Sequence, residues 1–181
     1  MTTKQDILEA AVEILEREGP EAVTTRAVCL AAGITAPTLY HHFGDKNGLL
    51  RAVVAGGVER FMTLKRASRK TDDALADLKR GWDEWIAFAT ERPKLFRLMV
   101  ENTMSDPGAR REAYEIMRAT VERLHEEGRL SVDVETAAHS IWAASNGVLS
   151  LFMQGATAPA IHATSELLFD ALAARLSRSR A

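Results

Sequence analysis

The sequence of 181 residues has a single cysteine, no long hydrophobic run and no leader-like first segment. A chain with only Cys29 cannot form an internal disulfide, and this cysteine usage fits a reducing compartment. No apolar stretch approaches the roughly 18 to 20 residues that cross a bilayer, so we expect no membrane segment. The first helical stretch mixes apolar and acidic residues and lacks the apolar centre of a signal peptide. Together these absences predict a cytoplasmic protein.

The sequence also lacks a large excess of either charge, because 23 Lys and Arg residues nearly balance 25 Asp and Glu residues. Residues 1–70 carry ten basic and eight acidic side chains, a net of +2, and residues 71–181 carry thirteen and seventeen, a net of −4. This asymmetry is far smaller than the basic surface typical of nucleic-acid-binding domains. Charge alone therefore does not predict a nucleic-acid partner, and the motifs must decide.

Enzyme and metal-site motifs are missing as well. The sequence contains no P-loop, dinucleotide fingerprint, nucleophile elbow or HExxH pair. His125, His139 and His162 fall on three different predicted helices, so the C-terminal part of the sequence offers no local metal-ligand cluster. We expect no metal and no cofactor, and a small helical enzyme is the least favoured function class.

Helical periodicity dominates what is present, and no alternating strand pattern occurs. Ile7, Ala11 and Leu15 lie on one apolar stripe, and Gly19-Pro20 ends this first helix. The pattern predicts an all-α fold of about nine helices, with a three-helix head in residues 1–47 joined by a fourth helix to a larger body in residues 48–181. The later helices are expected at about residues 25–32, 36–43, 45–69, 71–92, 94–104, 106–128, 134–154 and 161–176.

Residues 24–46, TTRAVCLAAGITAPTLYHHFGDK, meet the requirements of a helix-turn-helix. The first helix needs a small side chain where the two helices cross, and Cys29 supplies it. The turn needs a residue that tolerates positive φ, and Gly33 follows four positions later. The second helix needs a buried anchor, and Leu39 lies six positions beyond the glycine. This spacing predicts that the second helix is the recognition helix of a DNA-binding protein.

Exposed positions around the motif are the candidate DNA contacts. Ala36 and Pro37 have no hydrogen-bonding side chain, so they suit thymine methyl groups and groove shape. Arg26 could reach a guanine with two hydrogen bonds, and Lys46 at the start of the fourth helix suits a phosphate. The whole candidate set is Thr24, Thr25, Arg26, Thr35, Ala36, Pro37, Thr38, Tyr40, His41, His42 and Lys46.

Some residues of the motif have alternative roles. Cys29 could be a redox-sensing thiol, although a small packing residue at the helix crossing is favoured. His41 and His42 could bind a metal, but adjacent helical side chains diverge by about 100°, which favours DNA contact and partial packing. Thr35 is placed to cap the recognition helix, and Asp45 is placed to cap the fourth helix.

The motif resembles the tetracycline-repressor (TetR) family, whose DNA-binding heads share a glycine turn, a T-L-Y-x-H/Y-F recognition helix and a following lysine. Residues 38–43, TLYHHF, and Lys46 match that pattern, and the likeness covers about residues 7–50. Two positions depart from it. Cys29 replaces the usual alanine, and Asn47-Gly48 weakens the start of the fourth helix, which we interpret as a softer hinge. The resemblance implies dimerisation through the last two helices and a small-molecule site in the body.

Aromatic and methionine side chains of the body are the candidate lining of that small-molecule site. They favour an apolar or aromatic effector, and ordinary core packing is the alternative role for each of them. The candidate residues are Trp82, Trp85, Phe88, Phe96, Met99, Met117, His139, Trp142 and Asn146.

Small side chains along residues 134–154 and the apolar face of residues 161–176 predict a helix–helix interface between two copies of the chain, with burial inside one subunit as the alternative. The predicted function is a sequence-specific regulator that binds palindromic double-stranded operator DNA as a homodimer. We expect a repressor released by its ligand, and the residues leave an activator open. The alternative is a ligand-binding or interaction module without operator binding.

Overall fold

The computed structural model describes residues 3–103 and 107–176. Within these ranges it has nine α-helices and one short 3₁₀ turn, Pro20–Ala22, which confirms the all-α prediction. In chain order the helices are α1 Lys4–Glu18, α2 Thr25–Ala32, α3 Ala36–Phe43, α4 Lys46–Ala67, α5 Ala74–Glu91, α6 Pro93–Thr103, α7 Pro107–Glu126, α8 Val134–Met153 and α9 Ala158–Leu176. The predicted helix end at Met104, the predicted start at Asp106 and the tail 177–181 lie outside the described residues.

The start of α9 corrects one prediction. The sequence places Ala158-Pro159 before the last helix, but α9 already begins at Ala158. A proline in the first turn costs no helical hydrogen bond, because the first amide groups of a helix have no partner within it. The pair therefore belongs to the helix instead of ending the preceding segment.

The chain divides into two compact units, the first formed by residues 1–61 and 92–106. Its core buries one apolar face of each short helix, with Ile7, Leu15, Val28, Leu39 and Leu49 fully inaccessible to solvent. The helix α6 belongs to this unit because Glu16 at the end of α1 caps it. The Glu16 carboxylate accepts from the amides of Lys94, at 3.3 Å, and Leu95, at 2.7 Å.

The second unit consists of residues 62–91 and 107–181. Its core contains Trp82, whose indole N–H donates to the Ser165 hydroxyl at 2.6 Å and whose ring meets that of Phe169 edge-on. A buried carboxylate, Asp77, joins α5 to α7 through Arg123, with a 2.7 Å ion pair.

Asp77 also contacts two groups close to it in sequence. It accepts from the Arg80 guanidinium at 2.6 Å and from the Thr71 hydroxyl at 2.7 Å. Burial alone would raise the pKa of the Asp77 carboxyl. The hydrogen bonds from Arg123, Thr71 and Arg80 outweigh burial and hold this pKa well below its usual value.

The fourth helix contributes residues to both units, since α4 runs from Lys46 to Ala67 and the units divide at residue 61. The domain boundary expected after residue 47 stays a prediction. None of the helices in the described ranges combines the length and apolarity that a bilayer crossing requires.

Candidate nucleic-acid interface

The first helix of the motif begins at a threonine cap. Thr24 has extended backbone angles, and its hydroxyl accepts from the Ala27 amide at 3.2 Å. Arg26 is exposed, whereas Thr25 is half-buried. Because the Thr24 hydroxyl satisfies one free amide of α2, this helix starts at a defined residue and presents Arg26 in its first turn.

The turn between α2 and α3 depends on Gly33. Its φ of +64° lies in the left-handed region, where a glycine has no steric cost. The Cys29 carbonyl accepts from the amides of both Gly33 and Ile34, which closes the end of α2. Cys29 itself is a half-buried free cysteine. This geometry confirms the predicted glycine turn.

The recognition helix α3 starts differently from the prediction. Thr35 has the extended backbone of a capping residue, but its side chain makes no hydrogen bond to a backbone amide. The second helical position is Pro37, which has no N–H to offer, so one of the two usual donors is missing. Instead the Thr35 and Thr38 hydroxyl groups bond to each other at 3.0 Å.

One face of α3 is buried and the other is open. Leu39 is fully buried and Phe43 is 8% exposed, which confirms Leu39 as the anchor of the helix. The remaining candidate side chains lie on the accessible side of this helix. Four of these side chains are exposed, namely Pro37, Tyr40, His41 and His42. Two are half-buried, namely Ala36 and Thr38.

The start of α4 lies next to the end of α3 and is tightly defined. Asp45 accepts from the Gly48 amide at 2.6 Å, so the predicted aspartate cap is confirmed. A methyl group on Gly48 would overlap the Phe43 carbonyl oxygen. The backbone at Phe43 thus passes so close to Gly48 that only glycine fits there. This close approach, and not a softer hinge, explains the glycine. Lys46, half-buried, lies 4.0 Å from the exposed Glu21 carboxylate.

The candidate effector residues are distributed over both units. Phe96 and Met99 lie in the core of the first unit, where Met99 and Leu95 approach Gly57 of α4. The other candidates lie in the second unit. Trp82 and Phe88 are buried there, Trp85, Met117, Trp142 and Asn146 are half-buried, and His139 is exposed.

Two of these candidates contact Tyr114, a residue that is not in the predicted set. The Tyr114 ring stacks on His139, with centroids 5.8 Å apart, and meets Trp142 edge-on at 5.5 Å. Its hydroxyl donates to Glu135, and burial together with this carboxylate raises the pKa of Tyr114. Helical spacing could have indicated Tyr114 as a further candidate, since it lies one turn before the candidate Met117 on the same helix.

Among the residues that the structure describes, no group of three or more His, Cys, Asp and Glu side chains could hold a metal ion. His41 and His42 contact each other edge-on, with centroids 5.4 Å apart.

Comparison with known proteins identifies both parts of the chain. A family model described as "Bacterial regulatory proteins, tetR family" matches residues 7–53. A model described as "Tetracyclin repressor-like, C-terminal domain" matches residues 78–176.

Curated relatives carry regulator names. The transcriptional repressor AcnR of Corynebacterium efficiens is 26% identical over 140 residues, which cover 74% of this chain and 72% of AcnR. The transcriptional regulator UidR of Escherichia coli K12 is 38% identical over 58 residues, which cover 32% of this chain and only 30% of UidR.

Solved structures share the fold along nearly the whole chain. A TetR transcription regulator from Haloarcula marismortui superposes with a TM-score of 0.79 at 18% identity, covering 96% of this chain and 97% of that one. The TetR family regulator PfmR from Thermus thermophilus gives a TM-score of 0.67 at 23% identity, covering 91% and 97%.

TetR-family regulators bind operator DNA and small-molecule ligands and form dimers. The first family model covers the helix-turn-helix described above, and the second covers more than half of the 181 residues. The chain therefore belongs to the tetR family of DNA-binding transcriptional regulators.

Proposed function

We propose that this regulator binds a palindromic operator as a homodimer through α2 and α3, represses transcription there, and is released by a small apolar or aromatic ligand. The observation that carries the proposal is the division of α3 into a buried anchor face and an open face. Leu39 and Phe43 fix the helix to the first unit, while Tyr40, His41 and His42 remain available to DNA. A recognition helix needs this division to enter a major groove.

The first turn of α3 should read methyl groups and shape more than hydrogen-bond patterns. Ala36 and Pro37 have no polar side-chain atom, so they suit thymine methyl groups. The Thr38 hydroxyl is oriented by its bond to Thr35, and it is the one polar side chain of this turn. We assign phosphate contacts to Thr24, Thr25, Tyr40, His41, His42 and Lys46, and a base or phosphate contact to Arg26.

Selection from a random 30-bp duplex library tests this assignment. We expect a palindromic consensus and a salt dependence with a log–log slope of about −5 to −9, for about six to ten phosphates per dimer. The chain has two tyrosines, which makes a matched pair of variants available. Tyr40→Phe should weaken binding by up to about tenfold for a lost hydrogen bond, while Tyr114→Phe leaves unliganded binding unchanged.

Binding that ignores sequence, or a Tyr40→Ala variant with wild-type affinity, contradicts the proposal. Failure to bind any duplex would favour the alternative, an interaction module without operator binding. As a regulator acting on DNA, the chain is expected to work in the cytoplasm and to show no catalytic turnover.

For the dimer we propose the exposed faces of α8 and α9. Leu151 on α8 is 46% exposed and Leu167 on α9 is 70% exposed. Small side chains surround them at helical spacing, so another helix could approach closely. These exposed small residues are Ala143, Gly147, Ala160, Ala163, Ala171 and Ala174. An apolar surface of this extent is typical of a protein interface.

The mass of the chain in solution, measured by light scattering, tests the dimer. Wild type should have twice the chain mass, and Leu167→Glu should be monomeric because it places a charge in the interface. Leu64→Glu is the matched control, since Leu64 is a 50% exposed leucine on α4 and its variant should stay dimeric. A dimeric Leu167→Glu variant would contradict this interface.

For the effector we propose a site in the second unit, supported by the match of residues 78–176 to a tetracyclin repressor-like C-terminal domain. All three tryptophans of the chain, Trp82, Trp85 and Trp142, lie in this unit. A ligand screen can therefore use tryptophan fluorescence, with operator release as the second measurement. We expect a hit to weaken operator binding about 5- to 150-fold, a coupling of about 1–3 kcal/mol. Hits that change fluorescence but never operator affinity would contradict effector control.

A further inference from the structure

Lys4, in the first turn of α1, has a position that the helix-turn-helix motif does not include. Its ammonium lies over the ring of Phe43, with 5.7 Å between Nζ and the ring centroid. Phe43 is the last residue of α3. The contact therefore places a positive charge from α1 at the C-terminal end of the recognition helix.

The start of α1 is held firmly enough to fix that placement. The Thr3 hydroxyl accepts from the Asp6 amide at 3.2 Å, and the Asp6 carboxylate accepts from the Thr3 amide at 2.6 Å. This reciprocal cap defines the first helical turn, which contains Lys4. Asp6 is occupied by the cap, and Lys4 forms no ion pair with a carboxylate anywhere in ranges 3–103 and 107–176. Its side chain is exposed.

The surroundings of Lys4 belong to the candidate interface. Phe43 follows His41 and His42 on α3, and the ring of His42 lies 6.0 Å from that of Phe43. Two residues beyond the end of α3, Asp45 caps the helix that carries Lys46. In DNA-binding domains Lys and Arg side chains make many of the phosphate contacts, which fix the orientation of the domain on the duplex.

We propose that Lys4 contacts a DNA phosphate and so adds α1 to the interface formed by α2, α3 and the start of α4. The inference rests on the proposed function. A purely structural role is the competing explanation, because a cation over an aromatic ring and near a helix C-terminus also stabilises the fold. The two roles differ in their dependence on salt.

Salt titrations of operator binding separate the two roles, using a duplex selected from the random library and a shuffled duplex of the same composition. In Lys4→Met the slope of log affinity against log salt should become shallower by about 2 per dimer, at about 0.9 per phosphate contact in each protomer. Both duplexes should lose affinity by the same factor, since a phosphate contact carries no sequence information. Lys4→Arg should retain the wild-type slope.

Arg17→Met is the matched control, because Arg17 is an exposed cation at the other end of α1, paired with its neighbour Glu18. Its slope should equal that of wild type. A Lys4→Met variant that melts at a lower temperature but keeps the wild-type slope would assign Lys4 a structural role and overturn the inference. Wild-type protein that binds no duplex would overturn the proposed function and the inference together. Normal wild-type binding with an unchanged Lys4→Met slope would overturn only the inference.

Discussion

The two compact units differ in the interactions that join their helices. In the first unit, ends of helices are joined by hydrogen bonds to backbone amides, as where Glu16 of α1 caps α6. In the second unit, side-chain ion pairs connect helices, as where Asp77 of α5 binds Arg123 of α7. Two ion pairs of the first unit, Arg17–Glu18 and Lys46–Glu21, lie on its surface.

This difference suits the task proposed for each unit. A surface that binds phosphates needs cations that carboxylates do not already hold, so caps are a better way to fix its helices. No phosphate contact is proposed for the second unit, so its arginines are available for the ion pairs that hold α5 against α7. The comparison predicts that perturbing a cap or a close backbone contact affects the first unit, whereas removing charge affects the second.

The largest effect is expected from Gly48→Ala, because the new methyl group would overlap the Phe43 carbonyl oxygen. The backbone must move to relieve such a contact, so we expect the free energy of unfolding to fall by about 3 kcal/mol. We also expect operator binding to be lost. Gly56→Ala is the matched control in the same helix, since its methyl group would lie 3.9 Å from Leu8, an ordinary contact. That variant should be neutral or more stable by up to about 1 kcal/mol.

Hydrogen exchange followed by mass spectrometry resolves the two units. Gly48→Ala should raise exchange in residues 3–61 and leave α8 and α9 unchanged. Equal protection from hydrogen exchange in Gly48→Ala and Gly56→Ala would show that the close backbone approach at Gly48 does not affect the stability of the first unit.

Asp77→Asn should have the second-largest effect, and in the other unit. The substitution removes the charge that compensates Arg80 and Arg123. A fully buried pair would cost about 3–5 kcal/mol, but both arginines are partly exposed, so we expect about 2 kcal/mol. The measurement is again hydrogen exchange, with faster exchange in α5 and α7 only. Asp72→Asn, an exposed neighbour, serves as control. Loss of protection in the first unit would show that this charge also stabilises helices outside its own unit.

Acid should act on the second unit through the same carboxylate. Hydrogen bonds hold the pKa of Asp77 below its usual value, so the folded state favours the charged form. Its stabilisation is complete above the unfolded pKa of about 3.9 and is lost as the pH falls toward the folded value. Between pH 5 and 3, wild type should therefore lose more stability than Asp77→Asn in parallel urea titrations. Parallel losses in both proteins would exclude this contribution.

Glu16→Ala should have a smaller effect, confined to the first unit. It leaves the Lys94 and Leu95 amides at the start of α6 without their acceptor, and caps of this kind contribute about 1 kcal/mol. Glu13→Ala on the exposed side of α1 should be neutral. Exchange of the α6 amides distinguishes the two variants, and unchanged α6 protection in Glu16→Ala would mean that the cap does not hold this helix.

The smallest effect is expected from Arg66→Gln, although Arg66 forms a short ion pair with Glu112 between α4 and α7. Both side chains are more than 40% exposed, so water screens the pair. The melting temperature should stay within experimental error of wild type at every salt concentration. A clear decrease at low salt would show that surface ion pairs also contribute to the second unit.

Local features of the fold could be predicted from the sequence because their causes lie within a few residues. The cap at Asp45 and the turn at Gly33 depend on side chains adjacent to them. The buried anchor Leu39 follows from its spacing to Gly33 in the motif. The candidate DNA-contact set around it stays a prediction. These elements also carry the family resemblance.

Features that depend on distant residues could not be predicted in this way. Glu16 and Lys94 are 78 positions apart, and nothing near either residue signals that α6 joins the first unit. Gly48 is a local exception, because its role depends on the backbone path at Phe43, five residues earlier, which the periodicity of side chains does not contain. Tyr114 meets His139 and Trp142 across two helices, so only the packed structure brings them together.

Pro37 has a further consequence for how α3 meets water. A helix start normally leaves four amide groups to be hydrated, and Pro37 removes one of them from the first turn. When this turn enters a groove, fewer bound waters must be stripped from backbone donors that DNA bases do not satisfy. Dehydration of the recognition helix is correspondingly less costly where its first turn packs against thymine methyl groups, which accept no hydrogen bond in place of the lost water.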